Sequence, residues 1–164
     1  MGLESQYRMV QTDSLQRPWL AELKAPAARW SINVLVVEDD PADANLIVNV
    51  LERHSDVAAV HLMDRPDIAL RLLANGALEP DLVLVDIQMP RMNGFRFVER
   101  LRLIPAMADV PVAFLTTSRL ASDVEAAKEA SVGCYVVKPD SLADLRARLD
   151  VVIKRIKSGA WSSK

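Results

Sequence analysis

Five short apolar runs, separated by segments of a different period, constrain this chain more than any other feature of its sequence. Residues 32–37, 57–62, 82–85, 110–115 and 134–137 are rich in Val, Ile and Leu and carry little apolar–polar alternation. Strands of that kind are buried on both faces, which a parallel sheet covered by helices provides. The intervening segments carry helix signals. After the first run, Asp40 stands as an N-cap and Pro41 as a first helical residue, and Leu46, Ile47, Val50 and Leu51 follow at helical spacing. Residues 66–75 read as a helix stopped by Gly76, and residues 93–103 as a helix opened by Asn93-Gly94. Residues 121–130 read as a helix capped by Ser118 or Ser122. The last, 141–156, is amphipathic, with Ser141 as N-cap and Asp144 in the capping-box position. The alternation predicts an α/β fold: a doubly wound, five-stranded parallel sheet with five helices.

The 164 residues suit one domain with short extensions. Residues 1–31 mix Gln, Ser, Arg and scattered apolar residues and end in a Lys24-Ala25-Pro26 stretch, so they read as an extension and linker. Trp19 and Trp30 lie there. The domain is expected over 32–157, with 158–164 a short tail. Lys and Arg number 20 against 22 Asp and Glu, so no global field draws the chain to nucleic acid or to a membrane. No apolar run approaches the roughly 20 residues that span a bilayer, and the N-terminus lacks a secretory pattern. A single cysteine, Cys134, forms no intrachain disulfide and suits a reducing, cytoplasmic setting.

In open parallel sheets, sites form beyond the carboxyl ends of the strands. There the sequence places Glu38-Asp39-Asp40, Asp86, Thr116-Thr117-Ser118 and Lys138-Pro139, after the first, third, fourth and fifth runs. If the first and third strands are neighbours, Glu38, Asp39 and Asp86 converge. Crowded carboxylates either hold protons or surround a cation, and a hard cation such as Mg²⁺ suits them. Lys138 adds a positive charge and Thr116 a hydroxyl. Such a set can hold a phosphoryl group on a carboxylate, where positioning and electrostatics do most of the work. Taken singly, the acidic string is a solvated turn, Asp86 a turn residue and Lys138 a surface charge. Their occurrence together at four strand ends argues against that reading.

These residues resemble the receiver domain of two-component response regulators. The resemblance rests on Val34-Leu35-Val36-Val37-Glu38-Asp39-Asp40, on Asp81 to Gly94 (DLVLVDIQMPRMNG), on Pro111 to Ser118 (PVAFLTTS), and on Tyr135-Val136-Val137-Lys138-Pro139. It covers roughly residues 32–157. The strings Glu-Asp-Asp-Pro-Ala-Asp and Leu-Thr-Thr-Ser are similar to those of stand-alone receivers paired with phytochrome-type kinases.

The resemblance implies a flavodoxin-like strand order of 2-1-3-4-5 and a role for each site residue. Asp86 would be the phosphoacceptor. Mg²⁺ would be held by Asp39, Glu38, Asp86 and the backbone carbonyl of Gln88. Thr116 and Lys138 would bind phosphoryl oxygens. Thr116 and Tyr135 would form the switch, and the Lys138–Pro139 bond would be cis. It further implies a single-domain response regulator in a phosphorelay, fed by a sensor histidine kinase or phosphotransfer protein docking near 41–50. Output to a downstream protein, or a homodimer, would use the face around Tyr135, 121–130 and 141–156. With about a dozen residues at most after the last helix, no DNA-binding or enzymatic output domain is expected. Two positions depart from the family pattern: Thr117, usually small, and Gln88, often Asn. Both bear on the lifetime of the phosphorylated state.

Other functions fit less well. A phosphatase passing through phosphoaspartate, as in haloacid-dehalogenase-type hydrolases, needs an acid two residues after the nucleophile, where this chain has Gln88. A nucleotide-binding fold needs a glycine-rich loop where this chain has Glu38-Asp39-Asp40-Pro41. A scaffold that ignores phosphorylation would leave the complete site unexplained. His54 and His61 have no metal partners in the sequence pattern and read as surface or helix-end residues. Cys134 reads as a core residue, and Lys154, Arg155 and Lys157 as a basic helix end.

Overall fold

The computed structural model describes residues 30–118, 120–130 and 132–161. The extension expected over 1–31 lies almost wholly outside them. Five strands alternate with five α-helices: β1 (Ile32–Val37), α1 (Pro41–Glu52), β2 (Val57–Met63), α2 (Pro66–Ala74), β3 (Leu82–Val85), α3 (Gly94–Arg102), β4 (Val112–Thr116), α4 (Ala121–Glu129), β5 (Cys134–Val137) and α5 (Leu142–Lys157). A short 3₁₀ turn, Pro105–Met107, precedes β4. All strand pairs are parallel, in the order β2-β1-β3-β4-β5, as expected.

The sheet divides the core in two because successive side chains of a strand point to opposite faces. Leu35, Val37, Val83, Val85, Val112 and Phe114 face one side, where Ala69 and Leu73 of α2 and Phe97, Val98 and Leu101 of α3 cover them. Val34, Val36, Leu82, Leu84, Ala113 and Leu115 face the other, under Ile47, Val50 and Leu51 of α1 and Leu145, Leu149, Val152 and Ile153 of α5. This two-sided burial is why the runs show no alternation in polarity.

Helix starts follow the local chemistry. Asp40 accepts from the amides of Ala42 and Asp43, with Pro41 opening α1. Asn93 accepts from Arg96 N, and Ser141 from Asp144 N. Helix α4 departs from expectation. Its cap position is Leu120, without a side-chain cap. Ser118 instead donates its hydroxyl to Asp123 in the first turn and accepts from Leu120 N.

Packing also continues past the expected boundary at 157. Trp161 lies against the second core layer, beneath Gly133, where any Cβ would come within 2.5 Å of the indole. Arg155 sits 5.7 Å from the indole centroid.

Candidate functional site

The ladder of hydrogen bonds runs one residue beyond β1, β3 and β5, and this fixes the site. Glu38 N donates to Met63 O, Asp86 N to Val37 O and Lys138 N to Thr116 O. The ends of β1, β2 and β3, and those of β4 and β5, are thereby held in register, and the polar residues there share one rim. The loop after Asp86 is held close: Gly94 N donates to Ile87 O, and a Cβ at Gly94 would stand 2.5 Å from the carbonyl oxygen of Asp86. Only glycine allows that approach.

Carboxylate oxygens of Glu38, Asp39 and Asp86 lie within 4.8 Å of one another. Glu38 and Asp86 are buried, 2% and 7% exposed, while Asp39 is more open to solvent. Lys138 reaches in from the end of β5. Its ammonium donates to Glu38 Oε2 at 2.6 Å and to Asp43 Oδ2 at 2.8 Å, and stands 3.6 Å from Asp86 Oδ1. That Asp86 oxygen is buried and accepts no hydrogen bond.

A buried anionic oxygen without a donor, in a ring of hard oxygen ligands, fits a small divalent cation. Glu38, Asp39 and Asp86 are the side chains that could hold it. Gln88, exposed and two residues past Asp86, supplies no carboxyl.

The charges shift one another. Burial pushes the Asp86 carboxyl above its ordinary range, against the pull of Lys138, the amides of Ile87 and Gln88 and the Thr116 hydroxyl. Burial likewise raises Glu38, and its hydrogen bond to Lys138 opposes this only in part. Burial would depress Lys138, but hydrogen bonds to Asp43 and Glu38 and the charge of Asp86 outweigh it, so the ammonium persists above its usual range.

Thr116, fully buried, ends β4, and its Oγ1 accepts from Ser118 N at 3.2 Å. Tyr135, half-buried on β5, donates its hydroxyl to Ser118 O at 3.0 Å and packs edge-on to Phe114. Ser118 thus links the two residues expected to form a switch. Thr117 faces solvent beside them.

Glu38, Asp39, Asp86, Thr116 and Lys138 are therefore brought together at this rim. One expectation is corrected. No peptide bond among the described residues is cis, so the Lys138–Pro139 bond is trans. Trans is the isomer that X-Pro bonds favour by roughly 0.5–1 kcal/mol, and Lys138 reaches its carboxylate partners from it. Asp43 joins the site without standing at a strand end. Its only signal in the sequence is its place in the first turn of the helix that leaves the acidic string. His54 stands in no cluster of metal-ligating side chains among the described residues; it pairs with Asp150 at 3.2 Å and accepts from Asp56 N. Cys134 is partly buried against the second core layer.

This sheet order, with an acidic rim opposite a lysine, defines a receiver architecture. Residues 34–150 match the family model described as the response regulator receiver domain, and the chain belongs to that family. Among its relatives is the response regulator Rcp1 of Synechocystis sp., 33% identical over 117 residues, which span 68% of this chain and 80% of that protein. The DNA-binding response regulator MtrA of Mycolicibacterium smegmatis is 34% identical over 123 residues, 74% of this chain but 50% of that protein. The chain thus spans only about half of that longer relative.

Solved structures agree on the fold. The phosphorylated cyanobacterial phytochrome response regulator RcpA superposes with a TM-score of 0.69 at 23% identity, covering 79% of this chain and 96% of that one. The Mn²⁺-bound form of Rcp1 gives 0.64 at 28% identity, covering 76% and 91%. No helix among the described residues is long and apolar enough to cross a membrane.

Proposed function

We propose that this receiver accepts a phosphoryl group on Asp86 and signals by a change of surface. The observation that carries the proposal is the buried, undonated Oδ1 of Asp86, set between the acidic rim and the ammonium of Lys138. The donor is a histidine kinase or a phosphotransfer protein. An Asp86 carboxylate oxygen attacks phosphorus, the nitrogen–phosphorus bond of the donor's phosphohistidine breaks, and the imidazole leaves. Glu38, Asp39, Asp86 and the Gln88 carbonyl would hold Mg²⁺, which when bound neutralises charge on the phosphoryl oxygens. Lys138 and Thr116 bind the remaining oxygens. As the Thr116 hydroxyl turns toward the phosphoryl group, it gives up the Ser118 amide. The Ser118 carbonyl that holds Tyr135 then shifts, and Tyr135 carries the change to the β5 face.

In this reading the body of the chain, from residue 32 onward, is a phosphoacceptor rather than an enzyme. Residues 1–31 are an extension to it. It works in the cytoplasm, and its output is a downstream protein or a second copy rather than nucleic acid. Incubation with Mg²⁺ and acetyl phosphate, followed by intact mass, tests the acceptor. One added phosphoryl group is expected, absent from Asp86→Asn and absent without Mg²⁺. An unmodified mass, with no response to beryllofluoride either, would refute it.

A further inference from the structure

The ammonium of Lys138 has three N–H donors and no acceptor. Two are committed at short, charge-assisted distances, to Glu38 Oε2 at 2.6 Å and to Asp43 Oδ2 at 2.8 Å. Asp86, the group Lys138 must serve, is left with an ion pair at 3.6 Å and no hydrogen bond to its Oδ1. The two anchors differ. Glu38 is a member of the acidic rim and would be drawn toward a cation there. Asp43 lies outside the rim, in the first turn of α1, with its side chain 35% exposed. It belongs to no acidic cluster that could hold a metal among the described residues. Its one charged partner there is Lys138, 95 residues away along the chain.

We infer that Asp43 is a positioning residue that holds the Lys138 ammonium toward α1 and away from Asp86, restraining capture of the phosphoryl group. The inference rests on the phosphoacceptor reading. Because the lysine stem is buried beside Glu38, the ammonium has little other freedom. Held 2.8 Å from Asp43, it stands 3.6 Å from Asp86 Oδ1, too far for its remaining N–H to bond there. When phosphoryl oxygens arrive, the donor now spent on Asp43 turns to them, and Asp43 is left facing solvent. Closing the Lys138–Asp86 gap from 3.6 Å to the 2.8 Å of the Asp43 contact, at the effective dielectric typical of such sites, corresponds to roughly tenfold in affinity for an anion bound there.

The test is the apparent affinity of the intact protein for beryllofluoride in saturating Mg²⁺, read by the quenching or shift of Tyr135 and Trp fluorescence. Five proteins are compared: wild type, Asp43→Asn, Asp43→Glu, Lys138→Met and Asp43→Asn combined with Lys138→Met. Asp43→Asn is expected to bind about tenfold more tightly, and Asp43→Glu, which keeps the carboxylate, near wild type. In the Lys138→Met background the Asn substitution should have no effect, since Asp43 acts through Lys138. Unchanged or weaker binding by Asp43→Asn, with thermal melts showing a folded protein, would overturn the inference. A gain that persists without Lys138 would also overturn it, because Asp43 would then be repelling the anion directly. A wild type that binds no beryllofluoride would instead remove the phosphoacceptor reading on which the inference stands.

Discussion

At the amino end of the sheet, carboxylates that close the fold are paired. The carboxylate of Asp81 accepts the Asn33 amide at 2.7 Å, Lys157 pairs with Asp56 at 2.7 Å, and Asp150 takes both His54 and Lys154. Trp161 closes over Gly133 and seals the second core layer. At the carboxyl end, Glu38, Asp43 and Asp86 share the single ammonium of Lys138, and a buried carboxylate oxygen goes without a donor. Folding alone would not select that second arrangement, since an unsatisfied buried anion costs stability. The difference separates the end that holds the domain together from the end where we propose the chemistry, and it makes substitutions at the two ends distinguishable in kind.

The largest stability effect is expected at the amino end. Trp161→Ala should destabilise by about 3 kcal/mol in urea unfolding, because it uncovers Gly133 and the neighbouring apolar layer. Phosphoryl uptake from acetyl phosphate should be unchanged. A loss of uptake would mean that the two ends are coupled. Gly94→Ala should cost about 2 kcal/mol, because its methyl would press on the Asp86 carbonyl, and it should slow uptake as well. If that variant unfolds more easily yet phosphorylates at the wild-type rate, the loop after Asp86 does not shape the site.

Asp86→Asn should run the other way. Removing the charge of a buried carboxylate whose Oδ1 lacks a donor should raise stability by about 1 kcal/mol in metal-free buffer, seen as a higher Tm. A lower Tm would place Asp86 with the paired charges of the amino end.

The smallest effect concerns pH. Burial raises the folded-state pKa of Glu38 and Asp86, so ionising them favours the unfolded chain. The penalty is absent below the ordinary carboxylate range, where both states are protonated. It grows as pH rises through the raised folded values and is complete above them. Metal-free protein should therefore lose a little stability between mildly acidic and neutral pH. Added Mg²⁺ should restore it at neutral pH and do less in acid, where protons compete for the same oxygens. Differential scanning calorimetry with and without Mg²⁺ reads this directly. A Mg²⁺ effect that does not vary with pH would separate the metal from these carboxyls. Lys138 has the opposite sign: its raised pKa contributes stability throughout this window, lost only in strong alkali.

Much of this contrast is legible in the order of residues along the chain. Strand burial on both faces follows from unbroken runs such as Leu82-Val83-Leu84-Val85. Once the sheet is parallel, the residue after each run must lie on the reactive rim, so Glu38, Asp39, Asp86, Thr116 and Lys138 stand out as one group. Asp43 does not. It is a first-turn acid on a helix, a place where carboxylates are common for reasons of helix dipole alone. Only the length of the Lys138 side chain and its direction of entry give it a second task. Ser118 reads as a helix cap because its hydroxyl does bond near the start of α4, yet the backbone it anchors is the one that holds Tyr135. Trp161 carries no periodic signal at all, since its partner is the missing side chain of Gly133. The isomer of the Lys138–Pro139 bond is likewise not encoded in the dipeptide, which admits both.

The sheet that separates Leu35 and Val83 from Val36 and Leu84 also separates two histories of change. A cavity opened under α2 and α3 has no neighbours in common with one opened under α1 and α5, so paired substitutions across the sheet should add, while pairs within one layer should not. Each half of the interior can then drift in sequence with its own compensations. The rim at the strand ends, fixed by backbone register rather than by either layer, stays in place while they do.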